Sequence, residues 1–201
     1  MKGLGFGSKL LNKRERLNLI PIIILYAFLI TILFFNATYQ RVYVVGSSME
    51  DTLYGAPDSN PANPGGDFVY VFEANPQRGD IVVINKDGRL LIKRVIAVGG
   101  DTVKIEWGKV YLNGKVLEEP YVSKDNNNPI LNTFPEITVE NGKLFLLGDN
   151  RNNSNDSRYF GCLPIESIIG VVADWSLTCK GVVTAVNSFF EFTLPSWFGV
   201  K

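Results

Sequence analysis

The stretch VVGSSMEDTLYG, residues 44–55, sets two serines in a glycine-bearing turn of a 201-residue chain that contains no histidine. That absence excludes Ser-His-Asp and Cys-His hydrolysis, His-ligated zinc and HExxH chemistry, all of which need an imidazole. A reactive serine here must draw on Lys, Asp, Glu or Tyr. A lysine amine can take its proton if the lysine pKa falls from about 10.4 toward 7–8. Such a shift of roughly three units destabilises the ammonium by about 4 kcal/mol, and burial among apolar groups produces it.

One lysine fits that requirement. In LLIKRVIA, residues 90–97, a period of two puts Leu91, Lys93, Val95 and Ala97 on one face of a strand. Leu90, Ile92, Arg94 and Ile96 fall on the other, so Lys93 has apolar neighbours while Arg94 points away. The bland alternatives are a lysine that snorkels from a strand edge and a Ser-Ser-Met that is only a turn. A third segment, GDNRNNSNDSR at residues 148–158, gathers Asp149, Asn150, Arg151, Ser154, Asp156, Ser157 and Arg158 directly after the apolar run KLFLL. By composition it is a solvated loop, yet loops at the ends of rigid strands are where catalytic support groups are held.

The elements that must position these groups are short. Val/Ile/Leu/Tyr-rich runs alternate with Asp87-Gly88, Asn113-Gly114 and Asn141-Gly142, which predicts a hairpin at each and a mainly β, antiparallel fold. Only residues 164–169 hint at a helical turn. Residues 54–66 and 123–132, rich in Pro, Gly, Asn and Ser, read as loops. The stretch NSFFEFTLPSWFGV, residues 187–200, is broken by Glu191 and Pro195. It reads as a β-edge or as aromatic surface at a membrane interface.

Residues 17–35 carry no charge, which is long enough for a helix to cross a hydrocarbon core of roughly 30 Å, with Pro21 expected in its first turn. The run ends in Leu-Phe-Phe and not in a small-x-small site, so an uncleaved anchor is favoured over a removable signal peptide. Lys9, Lys13, Arg14 and Arg16 precede it and only Arg41 follows closely, which keeps the N-terminus cytoplasmic. The organisation expected is a basic N-terminus at 1–16, a transmembrane anchor at 17–36 and an exported β-rich domain at 37–201. Formal net charge is zero, so nothing points to nucleic acid.

Taken together, the segments resemble the type I signal peptidases, membrane-anchored Ser-Lys proteases that remove signal peptides from exported proteins. SSMEDTL is similar to the family's S-M-x-P-T-L, RGDIVV (78–83) to its R-G-D strand and IKRVIAVGGD (92–101) to its K-R segment. GDNRNNSNDSR matches G-D-N-R-x-x-S-x-D-S-R at every fixed position. The resemblance implies Ser48 as nucleophile and Lys93 as general base, with Ser154 orienting the amine by a hydrogen bond. Arg94, Asp149, Asp156 and Arg158 would be scaffold charges. The Ser48 N–H would be one oxyanion donor; Gly46 stands where some relatives place a second, a serine hydroxyl, so backbone, water or a neighbour must supply it.

Val42, Val44, Met49 and Ile92 would form shallow pockets for small side chains on a peptide added as a β-strand. No cofactor and no metal is implied. The partners implied are preproteins bearing signal peptides, membrane lipid and protein translocation machinery, at a bacterial cytoplasmic membrane with the catalytic domain on the exported side.

Two departures leave room for a specialised maturation peptidase of a secretion or conjugation system: Asp51 replaces the family proline, and the loop at 54–66 is long. Glu50 and Asp51 are also expected to raise the pKa of a nearby lysine. Self-cleaving repressor proteases share the chemistry but carry a DNA-binding segment where this chain has an apolar span, and a non-catalytic membrane-anchored β-module leaves Ser48 and Lys93 unexplained together. Cys162 and Cys179 could close a loop of about eighteen residues, giving roughly 3 kcal/mol, or remain two buried thiols in a β core.

Overall fold

A computed structural model describes residues 13–57, 65–122, 125, 128 and 132–193, and the chain divides into two compact units that meet between Thr38 and Tyr39. The first is helix α1 (Lys13–Thr38). Its stretch Leu19–Thr38 has a mean hydropathy of 2.5, enough in length and composition to cross a membrane. The hydroxyls of Thr31 and Thr38 and the amide of Asn36 donate to carbonyls four residues back, so these polar groups are satisfied within the helix. Lys, Arg and Glu are good helix formers, and the helix therefore starts before the apolar run. This corrects the place of Pro21, which lies about two turns inside and not in the first. Lys9 lies outside the described residues.

The second unit is mainly antiparallel β. In chain order it holds β1 (Gln40–Tyr43), β2 (Phe68–Phe72), β3 (Ile81–Lys86), β4 (Arg89–Val98), β5 (Thr102–Glu106), β6 (Lys109–Leu112), β7 (Lys115–Val116), β8 (Phe134–Thr138) and β9 (Lys143–Leu147). There follow α2 (Ser157–Phe160), β10 (Leu163–Pro164), a 3-10 turn at Ile165–Ser167, β11 (Ile168–Val172), α3 (Asp174–Thr178) and α4 (Lys180–Thr193). A seven-stranded sheet runs β1-β2-β11-β3-β4-β9-β10 and a four-stranded sheet runs β7-β6-β5-β8.

Alternation in β3 sends Ile81 and Val83 into one apolar cluster with Val44, Met49 and Val69, and Val82 and Ile84 into another with Val95, Leu144 and Leu146. The central strand is thus buried on both faces. A third cluster joins Ile96, Ala97, Phe145 and Leu147 of the first sheet to Val103, Ile105 and Val110 of the second.

Two of the three expected hairpins form. Asp87-Gly88 joins β3 to β4 and Asn113-Gly114 joins β6 to β7, each pair with positive φ as a two-residue turn of this kind requires. Asn141-Gly142 turns the chain but makes no hairpin, because β8 pairs with β5 while β9 enters the other sheet beside β4. A third tight turn, Trp107-Gly108 between β5 and β6, has the same positive φ pair and lacks the usual turn composition. The period of two in β4 holds through Val95 and then breaks at a register shift between Val95 and Ala97, so Ala97 packs with Ile96 and not with Val95.

The C-terminal segment is a correction. Residues 187–193 belong to α4, not to a β-edge, and α3 and α4 were not anticipated; Pro195 and its neighbours lie outside the described residues. Val183 and Asn187, one turn apart, are the buried side chains among the described residues of α4. The ends of the long loop after Tyr54 are held by Tyr54 N–H to the Asp67 carboxylate and Asp67 N–H to Tyr54 O, while residues 58–64 lie outside the described residues.

Candidate active site

Lys93 lies in the middle of β4 opposite Val82 of β3, and it is 2% exposed. Its Nζ stands 2.7 Å from Ser48 Oγ and donates to the carbonyl of Ile92, also at 2.7 Å. Burial pushes the lysine down from 10.5 to about 8, against the opposing pull of Asp156 and then Asp149. A neutral amine at this distance can accept the Ser48 hydroxyl proton.

Ser48 sits in the turn after β1, before the buried side chains of Met49 and Leu53. Its carbonyl accepts the N–H of Asn150, and Gly148 packs directly against that carbonyl and Ser154 Oγ, so a side chain at position 148 would strike both. The segment 148–158 is thereby pinned to the turn that carries Ser48. Asn153 Nδ2 adds a 2.7 Å bond to the Ser47 hydroxyl.

The carboxylates near Lys93 are each engaged by an arginine. Arg94 forms a fork on Asp149 at 2.9 and 2.7 Å, and Arg158 a fork on Asp156 at 2.8 Å on both oxygens. Asp149 and Asp156 are wholly buried. Asp149 also accepts the Thr52 hydroxyl, and Asp156 the N–H of Gly148. Arg94 lies 3.8 Å from the centre of the Tyr121 ring. Arg151 and Glu119 make a further pair, at 3.1 and 2.6 Å, with Arg151 Nε on Gly148 O.

Several expectations need correction. Ser154 does not hydrogen-bond the amine: its Oγ is the buried side-chain polar atom among the described residues that has no partner, because Lys93 turns to Ile92 O and Ser48 Oγ. Gly46, in a left-handed conformation at φ 77°, gives its N–H to Ala56 O and so has no donor to offer an oxyanion. Asp51 is exposed, and the carboxylates that act on Lys93 are Asp156 and Asp149. Of the two states left open for Cys162 and Cys179, the free-thiol one is found, with Cys162 half-buried and Cys179 exposed.

Val42, Val44, Met49 and Ile92 do come together, in the apolar cluster that also contains Leu53, although Val44 and Met49 are almost wholly buried in it. The signals missed in the sequence were Thr52, Asn153, Gly148, Tyr121 and the Glu119–Arg151 pair. Gly148, Thr52 and Arg151 stood at fixed positions of the quoted motifs, but nothing in the sequence tied them to their partners.

A family described as signal peptidase, peptidase S26, matches residues 16–175. The chain belongs to that family. It is 38% identical over 135 residues to a probable signal peptidase I-2 of Synechocystis sp., covering 61% of this chain and 60% of that protein. It is 42% identical over 105 residues to a probable signal peptidase I-1 of the same organism, covering 47% and 52%. To signal peptidase I U of Bacillus subtilis it is 34% identical over 175 residues, covering 81% and 90%. The chain thus spans little more than half the length of the two Synechocystis relatives. Among solved structures, a signal peptidase I of Enterococcus faecalis V583 is similar at 35% identity and a TM-score of 0.44, covering 50% of this chain and 98% of that one.

Proposed function

We propose that this member of the signal peptidase family is a membrane-anchored serine endopeptidase that removes signal peptides from exported preproteins by a Ser48–Lys93 dyad. The observation that carries the reading is a lysine 2% exposed, held to about 8, with its amine 2.7 Å from a serine hydroxyl.

Ser48 Oγ attacks the scissile carbonyl while Lys93 Nζ takes its proton. The resulting ammonium then protonates the leaving amine, leaving an ester at Ser48. Water, deprotonated by the again neutral Lys93, hydrolyses that ester. The Ser48 N–H, which no acceptor takes among the described residues, is available for the developing oxyanion. Strand β1 ends the strand order of the seven-stranded sheet among the described residues, which suits an added peptide strand with small side chains directed to the cluster of Val42, Val44, Met49 and Ile92.

Helix α1 serves as the single-pass anchor with a cytoplasmic N-terminus, which puts the β unit on the exported face of a bacterial membrane, beside lipid and translocation machinery. The test is cleavage of a synthetic signal-peptide substrate by the full chain in detergent micelles. Ser48→Ala should lose activity while keeping the wild-type β circular-dichroism signature. Near-normal turnover in that variant contradicts the assignment.

A further inference from the structure

The family match ends at Trp175, so α4 lies beyond it, yet the first residue of that helix reaches the nucleophile turn. Lys180 Nζ donates to the carbonyl of Thr52 at 2.8 Å, four residues from Ser48. The same amine lies 3.7 Å from Asp67, whose carboxylate accepts the N–H of Tyr54, and 5.0 Å from the centre of the Tyr54 ring. Thr52 in turn gives its hydroxyl to Asp149, one of the two carboxylates acting on Lys93.

The helix that carries Lys180 is itself fixed to the sheet. Thr184 Oγ1 accepts the N–H of Phe68, and Asn187 Oδ1 accepts from Arg41 of β1 at 3.0 Å and from the Tyr70 hydroxyl at 3.3 Å. Val183 is buried beneath it. A firmly seated helix thus grips the far end of the turn whose near end holds the nucleophile.

We propose that Lys180 is a positioning residue for the nucleophile turn: it fixes Thr52 and Tyr54 through Thr52 O and Asp67, and so keeps Ser48 Oγ within reach of Lys93. The proposal rests on the signal-peptidase reading for its catalytic consequence but not for its structural one. A turn released at Thr52 lets Ser48 wander, which lowers the chemical step and leaves substrate binding on β1 largely intact. Lys180→Met keeps the aliphatic stem over Tyr54 and removes the donor, whereas Lys180→Arg keeps a donor.

The experiment uses the full chain in micelles. For Lys180→Met, kcat is expected to fall about tenfold with KM unchanged, and Lys180→Arg to recover most of it. Hydrogen exchange of the Leu53 and Tyr54 amides should quicken about tenfold in Lys180→Met, with amides of β3 and β4 unaffected. Unchanged exchange at Leu53 and Tyr54 overturns the proposal whatever the cleavage rates. Faster exchange with wild-type kcat overturns the catalytic part. A wild-type chain that cleaves no signal peptide sinks the peptidase reading instead, and exchange still decides whether Lys180 holds the turn.

Discussion

Lys93 on β4 and Lys104 on β5 are the same residue type in strands only a few residues apart in the chain, and the two sheets treat them oppositely. In the four-stranded sheet Lys104 is 37% exposed and bonds Glu106 at 2.9 Å, a contact that holds its pKa above the usual lysine value. In the seven-stranded sheet Lys93 is 2% exposed, meets no carboxylate directly and falls to about 8. Position in a strand does not make a base of a lysine. What lowers the Lys93 pKa is burial, with no carboxylate bonded to the amine to offset it. Asp149 and Asp156 are close enough to pull the other way, but their oxygens are committed to Arg94 and Arg158.

The comparison breaks most visibly in activity. Under the proposed mechanism Lys93→Ala should reduce kcat/KM by about 10³-fold or more, and Lys93→Arg should fail similarly because a guanidinium holds its proton near neutral pH. Lys104→Ala, removing an exposed pair, should stay within about twofold. Substrate-cleavage kinetics on the three proteins make the contrast, and a working Lys93→Arg enzyme would erase it.

Stability against pH gives the next effect in size. Between about 8 and 10.5 the unfolded chain holds a proton on Lys93 that the folded chain has shed, so folding becomes more favourable as pH rises through that window. Below about 8 both states are protonated and the whole cost of the buried ammonium is present. The difference in unfolding free energy between wild type and Lys93→Met should therefore change by about 3 kcal/mol from pH 7 to 11, measured in urea. Lys104→Met should show no such rise with pH.

A smaller change tests the arginines. Freed from its fork, Asp156 should hold the ammonium more strongly, so Arg158→Gln is expected to move the rising limb of the kcat/KM profile up by about half a pH unit. A downward move would show that Arg158 does not shield Lys93. The smallest effect is none. Asp51→Asn should leave the limb in place, since Asp51 is exposed and Asp156 and Asp149 are the carboxylates that act on Lys93. A clear shift there would mean the exposed carboxylate reaches the amine after all.

Where signals were local, the sequence was readable. Asp87-Gly88 and Asn113-Gly114 announce their turns by residue type, and the alternation around Lys93 announces burial. What could not be read depended on distant segments meeting. Asn141-Gly142 has hairpin chemistry but its two strands belong to different sheets, a fact set by the pairing of β8 with β5. Ser154 was expected to bond Lys93, yet the amine's choice of Ile92 O is a matter of side-chain rotamer.

Glu119 meets Arg151 across 32 residues, and Lys180 meets Thr52 across 128, with no periodicity to link them. The helix α4 was hidden by composition, because its Val, Phe and Thr favour strands while packing of Val183 and Asn187 decides for helix.

The central claim is that Lys93 can be neutral near physiological pH beside Ser48. Its direct measurement is titration of the Lys93 side chain by NMR, using lysine labelled with ¹³C at Cε in the full chain in micelles and assigned by comparison with Lys93→Arg. The account predicts a Lys93 midpoint near 8. A Lys93 resonance titrating at about 10.4, the ordinary lysine value, would contradict it.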